Sequence, residues 1–539
     1  LGYKVVFAPD AIVYHRHHGT MSRFSDYRKR VLFKRNALYT VIKNYEEKHF
    51  ARVLSSVLLG TTSGLIDNSD LDLDNFEIRS SSRVKRSIAL DRNEVSTLIA
   101  IHEVAENLPE LMQKRASVQT RRKRTDKEIA QLFRSPFRFW PDVNNETQYK
   151  VIDAFGIQDI FEGLSRRVLV ISSDILPYPG LPTVGSGLRA WGLGQGLKSY
   201  GHDVVFSMPR AALKGREDLV PDEVKELVWE NHTLGSVVRK ANPDMVVVWK
   251  WPVVSLMPIG QIGVPIMLDQ HGPHYLERKY QGEEHLEESA DHKLSALRKA
   301  DFFSCAGQKQ GHYFQSWLAD AGWTAEERNE RTAVVPVSLS PDLPERDPAE
   351  KLTFVYGGVF LPWQDPTVGL FSLIEVMEQR SAGRLYFFGG KHPVYTVNTG
   401  IFDELLAYFQ KSERVVAPGM VSHDELINVY RKAHVAIDLM KRNPERELAF
   451  TTRTVEYFWC GLPVIYNDYS ELSGYILDYD AGWIVDPEDR ESIIEIIEDI
   501  FEHPERVAEK GRNAQRLVRE KLNWELTVTP LDRFIRYPR

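Results

Sequence analysis

The chain has 539 residues and is 43% hydrophobic, 27% charged and 11% aromatic, enough to build ordinary globular cores over roughly three or four domains. This excludes a disordered, collagenous or disulfide-stapled chain, and Cys305 and Cys460 read as small buried hydrophobes of a reducing compartment. The net charge of −7 is uneven, with +6 in the first 50 residues and −13 in the rest.

The chain opens Leu1-Gly2-Tyr3, with neither Met nor signal peptide, and is expected to be the tail of something larger. Residues 4–7 and 11–14 read as strands, followed by a turn with His15, His17 and His18 and a basic helix over 25–43. Three histidines in a turn can bind a transition metal, but no carboxylate or second cluster follows at ligand spacing. A solvated polar turn is the simpler expectation, and no metal site is assigned.

Residues 51–164 are expected to form a helical connector without a core of its own. An acidic break covers 67–74, and helical apolar spacing runs over 94–132 with an interruption near Pro109. A basic cluster includes Lys114, Arg115, Arg121, Arg122, Lys123, Arg124 and Lys127. It is either a solvated helix face or a patch for anionic lipid headgroups. Overall acidity, with neither zinc-ligand nor RNA-motif spacing, argues against a nucleic-acid partner. No apolar run reaches the roughly 18 residues a membrane span needs. The expected place is the cytoplasm, with peripheral contact through the basic patches at the inner face of a membrane.

From Arg167 the texture changes. Val168-Leu169-Val170-Ile171 is a continuous apolar strand of the parallel-sheet type. A glycine-rich loop follows, then a helix over 188–200 and strands at 203–207, 245–249, 265–269, 301–304 and 333–336. Residues 338–351, rich in Pro, Asp and Glu, read as a linker. Strands resume at 353–356, 384–388, 415–418, 435–439 and 462–466, with helices at 367–379, 401–409, 423–432, 452–460 and 490–502. This alternation predicts an α/β fold of two Rossmann-like, doubly wound lobes, 165–340 and 341–539, with the chemistry in the cleft at the strands' carboxyl ends.

Gly185-Ser186-Gly187-Leu188-Arg189-Ala190 matches G-x-G-x-x-A, a weak signal alone. Residues 172–184 separate it from the strand, and the next strand ends Phe206-Ser207-Met208 with no acid to grip a ribose, so a nicotinamide or flavin site is rejected. The glycines are expected to form a flexible bend over the cleft, feeding a helix N-terminus that can meet an anion.

The most informative stretch runs from Glu445 through Ile465. It reads as a loop, a helix capped by Thr451 or Thr452, a stop at Gly461 and a buried strand. The helix start, with Arg453, is a natural seat for a diphosphate, and Glu456, one turn on, can accept from a ribose diol or lie exposed on the helix.

This stretch resembles the donor-site motif of glycosyltransferase family 4, the retaining GT-B enzymes, with Glu456 five residues before Gly461 of Gly461-Leu462-Pro463-Val464-Ile465. The likeness extends over about 165–530. Gly185 to Gly187, Gln270-His271-Gly272, Tyr356-Gly357-Gly358, Phe388-Gly389-Gly390 and Pro418-Gly419-Met420 resemble further loops of that family. It departs in two places. The family's second glutamate falls at Leu448, with Glu447 one place off as the candidate. The loop after Gly358 carries no base, so Arg453, Lys391, Lys441 and Arg442 are the candidates to neutralise the diphosphate. Residues 1–50 are similar to the C-terminal end of a glycosyltransferase family 2 domain of GT-A fold, expected to be a catalytically incomplete fragment.

The resemblance implies transfer of a hexosyl group, with retention and no required cofactor or metal, from a nucleotide-sugar donor to a glycan or lipid-linked acceptor in polysaccharide synthesis. His271 and Glu447 would be catalytic. Gly185, Ser186, Gly187, Gly358, Lys391, Thr451, Thr452, Arg453 and Glu456 would bind the donor. Two rival readings are a non-catalytic GT-B scaffold that binds glycan or a partner enzyme, and a GT-B sugar-nucleotide epimerase.

Overall fold

A computed structural model describes residues 24–67, 92–130, 145–161, 165–213, 215–258, 262–392, 396 and 398–536. The strands expected at 4–7 and 11–14 and the histidine turn lie outside the described residues, as does nearly all of the acidic break. The chain divides into two compact units, 1–164 with 536–539 and 165–535.

In the first unit the basic helix spans Asp26–Asn44. Its buried Val31, Leu38, Val41 and Ile42 fall on one face at helical spacing, so it packs while its charges stay at the surface. Leu38 and Ile42 cluster with Val104 of the Arg92–Glu106 helix and Leu111 of the Leu108–Arg121 helix. A second cluster joins Val41, Val53, Ala130, Ile157 and Ile160. The helices of 51–164 thus pack onto the basic helix, because apolar residues scattered over distant segments meet on shared faces. The basic cluster is also partly structural. Arg115 is buried, and its guanidinium donates to the carbonyls of Ile42 and Tyr45 at 2.8 and 2.7 Å.

The second unit holds two six-stranded parallel sheets. In the first, β1 (Arg167–Ile171), β2 (Asp203–Ser207), β3 (Met245–Trp249), β4 (Ile266–Asp269), β5 (Phe302–Cys305) and β6 (Thr332–Val334) run in the order β2-β1-β3-β4-β5-β6. In the second, β7 (Thr353–Val359), β8 (Arg384–Gly390), β9 (Val415–Val416), β10 (Val435–Asp438), β11 (Val464–Asn467) and β12 (Gly482–Val485) run β12-β11-β10-β7-β8-β9. Both orders reverse beside their first strand, which makes doubly wound lobes with crevices at β1/β3 and β7/β10. Strands such as β3 and β11 are buried along their whole length, as continuous apolar runs between helix layers must be.

Three details depart from expectation. β12, absent from the expected strands, begins on Gly482 just after the left-handed Asp480, and its central Trp483 and Ile484 are only half-buried. The glycines at 185 and 187 are the first turn of the Gly185–Ser199 helix, not a flexible bend before it. A Cβ on Gly187 would sit 1.7 Å from the Ile175 carbonyl oxygen, so glycine is needed there for contact between helix and loop. The last helix, Thr529–Arg536, leaves the second lobe, and Val528, Leu531, Phe534 and Ile535 join the core of the first. His202 and Asp532, 2.9 Å apart, fasten that crossing. Among the described residues no helix is long and apolar enough to cross a membrane.

Candidate functional site

A cavity of about 400 Å³ lies between the lobes of the second unit, at the crevices where both sheets reverse. Its wall takes Asp174 and Val184 from the loop after β1, Lys250 from the end of β3, Gly358 from β7 and Arg446 from the segment after β10. This is where a doubly wound pair should bind its ligand.

The second-lobe wall is built around the Thr452–Trp459 helix. Its N-cap, Thr451, makes no side-chain cap, bonding instead to Thr454 and Tyr466 hydroxyls at 2.6 and 3.1 Å. The first-turn amides are thus left to the cavity, which Thr451, Thr452 and Arg453 line. Arg453 is 12% exposed and donates to Tyr356 Oη at 2.8 Å and the Gly357 carbonyl at 3.2 Å. Burial pulls its pKa down, but Tyr356 and Asp438 raise it by more, so the guanidinium stays charged. Gly358, at φ +139°, clears the space, since a Cβ there would lie 2.9 Å from Arg453 Nη1.

One turn on, Glu456 is buried at the cavity wall, with Oε1 2.6 Å from His423 Nε2. His423 is the first residue of its helix, set there by a capping box of Ser422 and Glu425. Across the cleft, Ser186 donates to Asp174 Oδ2 at 2.8 Å, and His392 of the second lobe lies 3.0 Å from the same oxygen. Gly185 packs close to Thr452, where a Cβ would stand 3.1 Å from Oγ1.

His271, after β4, has Nε2 3.0 Å from the Phe450 carbonyl, which fixes that nitrogen as the N–H donor and leaves Nδ1 unpartnered. Burial, then the charge of Arg189, hold its pKa down at about 4, so the ring is neutral. Arg189 itself is buried and pairs with Asp269 through two 2.9 Å bonds.

The structure therefore brings Gly185, Ser186, Gly358, Thr451, Thr452, Arg453, Glu456 and His271 to one cavity. Gly187 is buried behind that wall. Lys391 is exposed and lies outside it, while its neighbour His392 lines it. Glu447 also lies outside, paired with Arg442 at 2.6 Å. Lys441 is outside too, 3.6 Å from Glu488. Of the four expected cations, Arg453 alone lines the cavity.

In place of Glu447 the cavity has Glu445, buried and bound in two bonds to Arg446. Asn443 caps this short helix and Pro444 starts it, a signal that could have turned Glu445 inward in the reading. Lys250, at φ +71°, reaches Glu277 at 3.1 Å. Nothing in its sequence announces that conformation.

The family model described as "Glycosyl transferases group 1" matches residues 365–517. Among solved structures, sucrose-phosphate synthase of Thermosynechococcus elongatus is 19% identical with a TM-score of 0.53, covering 69% of this chain and 98% of its own. Alr3699/HepE of Anabaena in complex with UDP-glucose is 17% identical with a TM-score of 0.48, covering 68% and 98%. The α,α-trehalose 6-phosphate synthase of Burkholderia multivorans is 12% identical with a TM-score of 0.48, covering 69% and 98%. No curated protein matches the chain. The paired lobes are the GT-B fold, and with the group 1 match over the lobe that holds Arg453 and Glu456, the chain is a glycosyltransferase.

Proposed function

We propose that the chain is a retaining hexosyltransferase of polysaccharide synthesis, passing the donor sugar to a hydroxyl of a glycan or lipid-linked acceptor. The observation that carries the donor assignment is Glu456 standing one turn beyond an uncapped helix start with Arg453 beside it. In this reading Glu456 takes the ribose diol, and the amides of Thr452, Arg453 and Thr454, with the Arg453 guanidinium, take the diphosphate. Those groups are fixed before the ligand arrives, so they stabilise charge on the leaving diphosphate without reorganising.

Gly185 and Ser186 bring the first lobe up to the donor, while Gly187 lets their helix pack onto the β1 loop. His271, neutral and with Nδ1 free to accept, lines the junction of donor sugar and acceptor. Glu445 is a better placed second carboxylate than Glu447, because it faces the cavity. Retention rests on the family 4 resemblance. Calorimetry with a panel of nucleotide sugars tests the reading: tight binding by one is expected, and a folded protein that binds none overturns it. Anomeric configuration of the product by NMR tests retention.

A further inference from the structure

The Gln308–Asp320 helix of the first lobe has no side-chain cap of its own. Its N-cap is Gly307, whose extended backbone, at φ −158° and ψ 168°, is one that a capping residue adopts without strain. The cap comes instead from the second lobe. Glu471 Oε1 and Oε2 accept from the amides of Gln308 and Lys309 at 2.9 and 3.0 Å. Gly307 admits that carboxylate, because a Cβ there would overlap it. Glu471 is also the first residue of its own helix, Glu471–Tyr479. Two helix starts, one from each lobe, thus face a single carboxylate. Each start carries about half a positive charge, so the carboxylate turns a repulsion between them into an attraction.

A serine, asparagine or aspartate in place of Gly307 would cap the same helix from within its own lobe. Capping alone therefore does not account for the arrangement, and what it adds is a tie between lobes. That tie continues into the cavity wall. Gln310, the third residue of the capped helix, lines the cavity and is 1% exposed. Its Oε1 accepts from the Ala306 and Gly272 amides at 3.0 and 3.4 Å. Its Nε2 donates to the Leu448 carbonyl of the second lobe at 2.9 Å. Gly272 follows His271, and Leu448 stands two residues before Phe450, whose carbonyl accepts from His271. Lys309 adds a bond from Nζ to the Tyr469 carbonyl at 2.7 Å.

We propose that Glu471 is a positioning residue, which keeps His271 in register with the Leu448–Phe450 segment by capping the Gln308–Asp320 helix from the opposite lobe. Glu471 itself lies outside the cavity, so it acts through Gln310 and not on a ligand. The assignment rests on the place given to His271 in the functional reading above.

The test compares the full chain as wild type, as Glu471→Ala, and as Glu471→Ala with Gly307→Asp. The second substitution gives the helix a cap of its own but no tie to the other lobe. Turnover is read as nucleoside diphosphate released from the nucleotide sugar that binds best, with water or glucose accepting the sugar. Glu471→Ala is expected to lower kcat about 10- to 100-fold and to leave donor Kd within about twofold, since Arg453 and Glu456 are untouched. Hydrogen exchange should accelerate at the helix start and at the Gly272 amide. Adding Gly307→Asp should restore the thermal midpoint and the helix start, but neither kcat nor protection at Gly272. Unchanged kcat in Glu471→Ala, or kcat recovered with Gly307→Asp, overturns the proposal, because the cap would then serve its helix alone. A loss of donor affinity that matches the loss of kcat overturns it too. Where wild type turns over no nucleotide sugar, Gly272 decides: exchange that stays fast in the double variant supports the tie, and protection unchanged or restored overturns it. Failure of every nucleotide sugar to bind overturns the donor reading instead.

Discussion

His423 Nε2 and Glu456 Oε1 stand 2.6 Å apart in the wall of the interlobe cleft, joining the start of one helix to the second turn of another that follows a different strand. Burial pushes the imidazole pKa down, but the hydrogen bond and charge of Glu456, helped by Asp424, raise it by more, and the net shift is upward. A histidine whose folded pKa is raised binds its proton more tightly folded than unfolded. Its contribution to stability is complete below the unfolded value of about 6.5 and is lost as pH rises through the folded value. The stability advantage of wild type over His423→Phe should therefore shrink over that window. Thermal melts of both proteins from about pH 5.5 to pH 9 read it, and an advantage that grows with pH refutes the ion pair.

Replacing the other partner tests the ligand instead. Glu456→Ala removes the proposed ribose acceptor and leaves His423 without its carboxylate. Hydrogen bonds to charged groups contribute about 1.5–3 kcal/mol, so the nucleotide-sugar Kd should rise about 10- to 100-fold. Calorimetry on protein with unchanged circular dichroism measures it. A variant that binds as tightly as wild type removes Glu456 from the donor site.

Gly185 and Gly187 lie two residues apart in one helix yet should respond differently to a methyl group. At Gly187 the new Cβ would overlap a backbone carbonyl, which cannot step aside. Overpacking of that kind costs about 1–3 kcal/mol, visible as a lower urea midpoint at constant slope. At Gly185 the neighbour is the Thr452 side chain at 3.1 Å, across the cleft. Gly185→Ala should change stability by less than about 1 kcal/mol and act mainly on activity, by holding the lobes apart. Equal losses of stability in the two variants would contradict the packing.

What was legible in the sequence follows from which signals are local. The run 168–171 announces β1 because a strand covered on both faces must be apolar throughout, and β3 and β11 obey the same rule. Arg453 and Glu456 were legible because a helix start and one helical turn fix their relation within four residues. Glu447 falls outside the cavity because residues two apart in a five-residue helix face different ways, and it is Glu445, next to the Asn443 cap and Pro444, that faces in. Lys250 depends on a left-handed backbone at one lysine and the Asp174–His392 contact on lobe closure, neither of which a local pattern encodes. The core of the first unit stayed hidden for the same reason. Leu38 meets Leu111 only through the pairing of distant helices.

Arg115 gives that unit a separate test. Its guanidinium caps carbonyls at the end of the Asp26–Asn44 helix, reaches Glu47 at 2.7 Å and stacks 4.1 Å from the Phe50 ring centre. Cations at a helix C-terminus are stabilising, and here the charge is also buried. Arg115→Met should fit the space but leave the Ile42 carbonyl unpaired and the Tyr45 carbonyl with only the 3.2 Å bond from Gln119 Nε2, at a cost of about 2 kcal/mol. Amide exchange should accelerate in the last turns of that helix. Protection unchanged there would mean that water replaces the guanidinium without loss.

Arg453 carries the sharpest test of the donor site. Three of its contacts, Tyr356 Oη, the Gly357 carbonyl and the more distant Asp438, hold the guanidinium flat beneath Gly358. Lysine keeps the charge but is a point donor on a flexible stem and cannot span the same positions. If the charge at this place serves a diphosphate, Arg453→Lys should weaken the nucleoside diphosphate that binds best by about tenfold and Arg453→Met by about 100-fold. The parent nucleoside, which would bind through Glu456, should keep its affinity in both variants. A parallel loss for nucleoside and diphosphate would instead mean that Arg453 only shapes the wall through Tyr356. The two outcomes separate a ligand contact from a structural one, because the phosphate groups alone differ between the two probes.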